Sequence, residues 1–100
     1  MTFYVYILFS ETANKYYVGH SPNPQKRLTE HNSYDNKTKF TAKYQPWELM
    51  LFFPVSEARG DAIKVERFIK KQKSRKFIEE LIFNRNSHEY FERLIKKVNG

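Results

Sequence analysis

The chain of 100 residues contains no cysteine. Disulfides and thiolate metal sites are therefore excluded, and a reducing, cytoplasmic setting is expected. Glycine and proline are scarce, with 3 and 4 copies, and there is no low-complexity segment or internal repeat. No apolar run is long enough to span a bilayer, and the N-terminus has no signal-peptide pattern, so no membrane partner is expected. Acidic residues are outnumbered: 11 Asp and Glu face 18 Lys and Arg, a net charge of +7. That excess on a small domain favours polyanionic partners, nucleic acid first, although a merely solvated basic surface has the same composition.

Aromatic residues are abundant, with 7 Tyr and 9 Phe. A chain of this length buries roughly two-thirds of its unfolded surface, enough for one modest core in one domain. In the run Phe3-Tyr4-Val5-Tyr6-Ile7-Leu8-Phe9, alternation puts Tyr4, Tyr6 and Leu8 on one strand face and Phe3, Val5, Ile7 and Phe9 on the other. A short polar connection leads to a second strand, Tyr16-Tyr17-Val18-Gly19-His20. Pairing the two can bring Tyr6 and Tyr17 onto one face. Gly19 would allow a backbone or a substrate to approach closely.

Asn23 is a candidate N-cap, with Pro24 at the first position of a helix that ends near His31. Arg27 and His31 stand one turn apart on it; a solvated pair between Arg27 and Glu30 is the plainer alternative. Residues 32–47 form a long connection, of the kind that is usually functional. Lys37, Lys39 and Lys43 alternate there with Tyr34, Phe40 and Tyr44. Cations can meet phosphates and rings can stack on unpaired bases, or Phe40 and Tyr44 can simply anchor the connection.

Residues 48–55 read as a strand covered on both faces, with Pro54 ending its pairing. Ser56 is the expected cap of a helix to about Gln72, with Ala58, Ala62, Val65 and Ile69 as its apolar stripe, Gly60 inside it and Glu66 at its edge. By itself Glu66 reads as a partner of Lys70 at the next turn. Residues 64–76 are rich in Lys and Arg. Two further helices follow. The last, about 88–98, presents Phe91, Leu94, Ile95 and Val98 to this chain's core or to a second copy, which would make a homodimer.

The triplets Tyr4-Val5-Tyr6 and Tyr17-Val18-Gly19, their spacing, Lys26-Arg27 and the helical Glu66 together resemble the GIY-YIG nuclease domain, as found in small stand-alone bacterial members. The resemblance runs from residue 3 to about 86. It departs at Tyr4 and Val5, which replace the first glycine and the isoleucine of the family name. The resemblance implies an α/β fold: a small three-stranded, mainly antiparallel sheet flanked by helices. It implies phosphodiester hydrolysis by an endonuclease, more readily on DNA than RNA, in DNA repair or recombination. It gives Tyr6 the role of proton acceptor, with cations such as Arg27 or Lys15 lowering its pKa and His31 as the alternative base. Tyr17 would position water or phosphate, Arg27 would grip phosphate, and Glu66 would hold Mg2+ or Mn2+. Lys15, Lys26, Lys37, Lys39, Lys43 and Lys70 are the expected nucleic-acid contacts. An asparagine after the glutamate helix belongs to the pattern, and Asn84 and Asn86 both qualify. Two alternatives use the same sequence: a non-catalytic nucleic-acid-binding module, and an interaction protein dimerising through its last helix.

Overall fold

The computed structural model describes residues 1–33 and 39–100. Lys37, one of the expected nucleic-acid contacts, and Tyr34, one of the aromatic residues alternating with the lysines, lie outside the described residues. Strand β1 (Phe3–Ser10) pairs antiparallel with β2 (Lys15–Ser21) as a hairpin. Strand β3 (Glu48–Ser56) pairs antiparallel with the other side of β1, so the sheet order is β2-β1-β3 and β1 is central. Asn14 takes the left-handed conformation in the hairpin turn, which asparagine tolerates. The Arg75 guanidinium donates to its backbone carbonyl at 2.9 Å and to its side-chain oxygen at 2.7 Å, tying the turn to the following helices.

Helices α1 (Pro24–His31) and α2 (Lys39–Lys43) come between β2 and β3; α3 (Arg59–Lys71), α4 (Arg75–Phe83) and α5 (His88–Asn99) follow β3. One face of the sheet, with Val5, Ile7, Val18, Leu51 and Phe53, packs on Val65 and Ile69 of α3, Leu81 of α4, and Phe91 and Leu94 of α5. The other face carries Tyr6 and Leu8 against Trp47, with Tyr17, Leu28, Tyr44 and Leu49 around them. This is the expected three-stranded sheet between helices. The cap of α1 is also as expected: Asn23 Oδ1 accepts from the Lys26 amide at 3.1 Å.

Several expectations fail for identifiable reasons. The 32–47 connection contains a helix, α2. The register slips between Ile7 and Leu8, which pair with Leu51 and Leu49, so Met50 is an extra residue. That bulge sends Leu49 to the Tyr6 face and Leu51 to the opposite one. β3 is not covered on both sides, since Phe52 is 44% exposed. Pro54 does not stop the pairing: it sits on an edge strand opposite Tyr4, beside a second register shift, where its missing N–H costs no ladder bond. Ser56 closes β3 rather than capping α3. The N-cap is Ala58, and Ser56 Oγ instead reaches Asp61 at 2.8 Å. The apolar face of α5 is spent on this chain's own core, which removes the motive for a dimer through that helix. Among the described residues no helix is long and apolar enough to cross a membrane.

Gly60 falls in the exposed first turn of α3, and a Cβ built there meets nothing within 4 Å. Gly60→Ala should therefore stabilise the fold by about 0.4–1 kcal/mol, by removing freedom from the unfolded chain. A thermal melt checks this: a rise of a few degrees is expected, and a fall would mean the helix starts later than Arg59.

Candidate active site

Tyr6 and Gly19 are paired across β1 and β2, and the tyrosine ring lies over the glycine. A Cβ at Gly19 would stand 2.5 Å from Tyr6 Oη. The glycine thus makes room for the Tyr6 ring, not for a substrate or a passing backbone. The buried hydroxyl lies 3.0 Å from His31 Nε2, and His31 Nδ1 lies 3.0 Å from Thr41 Oγ1. The bonds around His31 are supplied by the connection that follows it. Trp47 Nε1 donates to the Thr41 carbonyl at 2.8 Å, and Gln45 Nε2 to the His31 carbonyl at 2.8 Å. Asn32 donates to the Trp47 carbonyl at 2.9 Å and accepts from its amide at 2.6 Å. No sequence pattern marks Thr41, Gln45 and Asn32, because their partners lie far from them along the chain.

Burial dominates the electrostatics here. It pushes the Tyr6 hydroxyl up to about 12, more than the nearby Arg27 guanidinium can pull it down. The expectation that cations would lower the Tyr6 pKa is therefore reversed. Burial, then the charge of Arg27, lowers His31 to about 4, so its imidazole is neutral near pH 7. With a proton on Nδ1, the ring donates to Thr41 and accepts from Tyr6. The tyrosine then has an acceptor in place for its proton. Tyr6 and His31 thus form one hydrogen-bonded pair.

Arg27 reaches this pair from α1. Its charged form is favoured chiefly by Tyr6 and also by Glu30, to which Nη1 donates at 2.9 Å. The side chain is half-exposed and shares an open hollow with Lys26. Tyr17, two residues before Gly19, sets its ring 6.4 Å from Tyr6 and 4.9 Å from His31, centre to centre.

Glu66 comes from α3, on the opposite face of the sheet. Its charge acts on Tyr6, and Lys70 Nζ lies 5.8 Å from the centre of the Tyr17 ring. The carboxylate is 16% exposed, accessible at the edge of the core. Lys70 donates to Oε2 at 2.7 Å, as the helical spacing suggested, and His20 Nδ1 lies 2.6 Å from Oε1. The far nitrogen of His20 is 3.2 Å from Arg59 Nη1. Since a guanidinium only donates, His20 Nε2 accepts from Arg59 and Nδ1 donates to the Glu66 carboxylate, fixing it. His20 was missed because 46 residues separate it from Glu66; strand alternation only puts it on the Val18 face.

Among the described residues no three His, Asp or Glu side chains converge as metal ligands. That donor set does not suit zinc, which takes three or four protein ligands. It suits Mg2+, which binds through one or two carboxylates and keeps most of its water until phosphate arrives.

The other candidates scatter. Lys15 lies over the Tyr44 ring at 4.8 Å and Lys43 over it at 5.5 Å; both favour the ionised form of Tyr44 rather than of Tyr6. Lys39 opens α2. Asn84 ends α4, its amide donating to the Glu80 carbonyl at 2.8 Å. Asn86 lines a hollow with Phe52, Phe53 and Pro54, along β3. The structure brings neither asparagine to Glu66 or Tyr6.

A buried neutral histidine carries a stability signature. The unfolded chain binds a proton near pH 6.5, and the folded chain near 4. The unfolded state therefore holds more protons between those values, so stability is complete above pH 6.5 and falls as pH drops toward 4. The loss should approach roughly 3 kcal/mol. Urea unfolding across that window, wild type beside His31→Gln, isolates it: the wild type should lose more stability by about that amount. Parallel curves would mean that His31 is solvated.

Residues 2–80 match the family model described as the GIY-YIG catalytic domain. The chain is also similar to a structure-specific endonuclease subunit, slx1, of Aspergillus terreus (strain NIH 2624 / FGSC A1156). The two are 36% identical over 69 residues, which is 64% of this chain and 18% of that protein. The chain thus corresponds to under a fifth of that relative's length. No solved structure gives a significant match. With Tyr6, Tyr17, Arg27, His31 and Glu66 placed about β2, and most of the chain matched, the protein belongs to the GIY-YIG catalytic domain family.

Proposed function

We propose that the chain is an endonuclease that hydrolyses phosphodiester bonds of nucleic acid, DNA in the first instance, with Mg2+ or Mn2+ as cofactor. The observation that carries this is the buried Tyr6–His31 pair, with Arg27 on one side and Glu66 reaching it around β2. A relative named as a structure-specific endonuclease subunit supports the same reaction class.

Arg27 grips the phosphate through its planar fork, exchanging Glu30 for the substrate oxygens. Tyr17 borders the same space and orients the attacking water. Glu66, fixed by His20, would hold the divalent ion. That ion supplies positive charge to the phosphate and the leaving oxygen when bound. The water gives its proton to Tyr6 Oη as the tyrosine passes its own to His31 Nε2. A free phenolate would be scarce near neutral pH for a hydroxyl whose pKa is about 12. A concerted transfer avoids that population. His31 is a poor base in the empty site partly because Arg27 repels its proton. A phosphate on Arg27 cancels that repulsion, so substrate binding strengthens the base at the moment it is needed.

Glu66→Gln tests the assignment. Glutamine keeps an acceptor for His20 and removes the charge. Metal-dependent cleavage should collapse, while binding of nucleic acid persists or tightens because a negative charge near phosphate is gone. Cleavage assays with calorimetric Mg2+ titrations in the presence of DNA read both effects. Undiminished cleavage in a folded variant would refute the role of Glu66.

Tyr6→Phe keeps the ring over Gly19 and removes the hydroxyl. Cleavage should slow by about 10²–10⁴-fold, the usual worth of general-base help. The variant should also lose roughly 1–3 kcal/mol of stability, because a buried nitrogen of His31 is left without its donor. A variant that is folded and cuts at the wild-type rate would take the proton-acceptor role from Tyr6.

A further inference from the structure

Against Tyr17, whose ring centre is 4.9 Å from that of His31, lies an open hollow of about 560 Å³, within the range of small-molecule sites. Tyr17 and Phe40 form its aromatic wall, their rings 6.2 Å apart and inclined by 33°. Ile69 and Ile78 contribute an apolar floor. Lys15, Lys73 and Arg75 stand around it, Lys15 over the Tyr44 ring and Arg75 bonded to Asn14 and Glu79, and among the described residues none that lines it is acidic. Lys70, which lines the hollow, is also the partner of Glu66, so the hollow borders the proposed metal site. Phe40 is 41% exposed, leaving part of its ring free to take a partner.

An apolar, aromatic-walled hollow ringed by cations suits one kind of occupant: a flat ring carried on an anionic backbone. The phosphates flanking a nucleotide meet the cations while its base stacks on Phe40 and Tyr17. A base inside a duplex cannot reach such a hollow without leaving its stack. We propose that this hollow is a subsite for an unpaired base of the substrate strand, next to the phosphate that is cut. The inference rests on the nuclease reading for the location of the cut, but base binding itself does not need cleavage. It makes the preferred substrate a nucleic acid with an unpaired nucleotide, such as a bulge, flap or single-stranded branch.

The test uses the full chain in EDTA and three fluorescently labelled DNA duplexes: fully paired, with one bulged nucleotide, and with an abasic bulge at the same place. Anisotropy should show the bulged base bound roughly 5- to 100-fold more tightly than the abasic bulge, the worth of one stacked base. Phe40→Ala should erase that advantage and Phe40→Trp should retain it. Equal binding of the base and abasic bulges by the wild type would overturn the proposal, as would an advantage that survives Phe40→Ala. Should Phe40→Ala fail to fold, the wild-type comparison decides alone. Adding Mg2+ separates the two claims. A base preference without cleavage of any duplex would leave the subsite standing and remove the nuclease reading. Cleavage without a base preference would do the reverse.

Discussion

Tyr6 can lie flat across β2 only because its cross-strand neighbour, Gly19, has no side chain. From that contact the rest of the site follows. The ring crosses toward α1, where its hydroxyl meets His31. His31 is in turn fixed from Thr41, and its backbone from Gln45, while Asn32 and Trp47 tie the connection to itself. Each polar group in this layer has a partner, which is what permits a hydroxyl and an imidazole to be buried together. Burial then sets the chemistry: it keeps Tyr6 protonated and His31 neutral, the two states in which a proton can pass from one to the other.

Two faces of the sheet cooperate through its edge. The tyrosines, Arg27 and His31 belong to the α1 side, and Glu66 with His20 belongs to the α3 side. Only at an edge strand can groups from opposite faces approach one another, and β2 is such an edge. The other edge, β3, is bent by two register shifts and carries Pro54, features that discourage a further strand from pairing there. In the proposed reading, the sheet keeps one edge for chemistry and blunts the other.

Much of this was legible in the sequence where the controlling forces are local. Alternation separated Tyr6 and Leu8 from Val5 and Ile7, and Asn23-Pro24 marked the start of α1. The Glu66–Lys70 pair followed from helical spacing. Tyr6, Arg27 and Glu66 acquired roles through family resemblance, since no spacing rule brings a strand tyrosine to a distant helix. What stayed hidden is non-local. The bulge at Met50 depends on β1 as partner, and α2 is tied through Thr41 to both His31 and Trp47. The sign of the Tyr6 pKa shift depends on burial, which no neighbour in sequence reveals. Lys15 and Lys43 look like phosphate contacts by type, yet in the free protein both lie over the Tyr44 ring.

The central claim is that Tyr6 acts by handing its proton to His31 rather than as a preformed phenolate. Single-turnover cleavage across a range of pH at saturating metal distinguishes the two. Transfer to a neutral His31 predicts a rate that is level from about pH 6 to 9, since neither partner changes its charge in that interval. A rate that climbs about tenfold per pH unit through the same range, toward the tyrosine's own pKa of about 12, would contradict it.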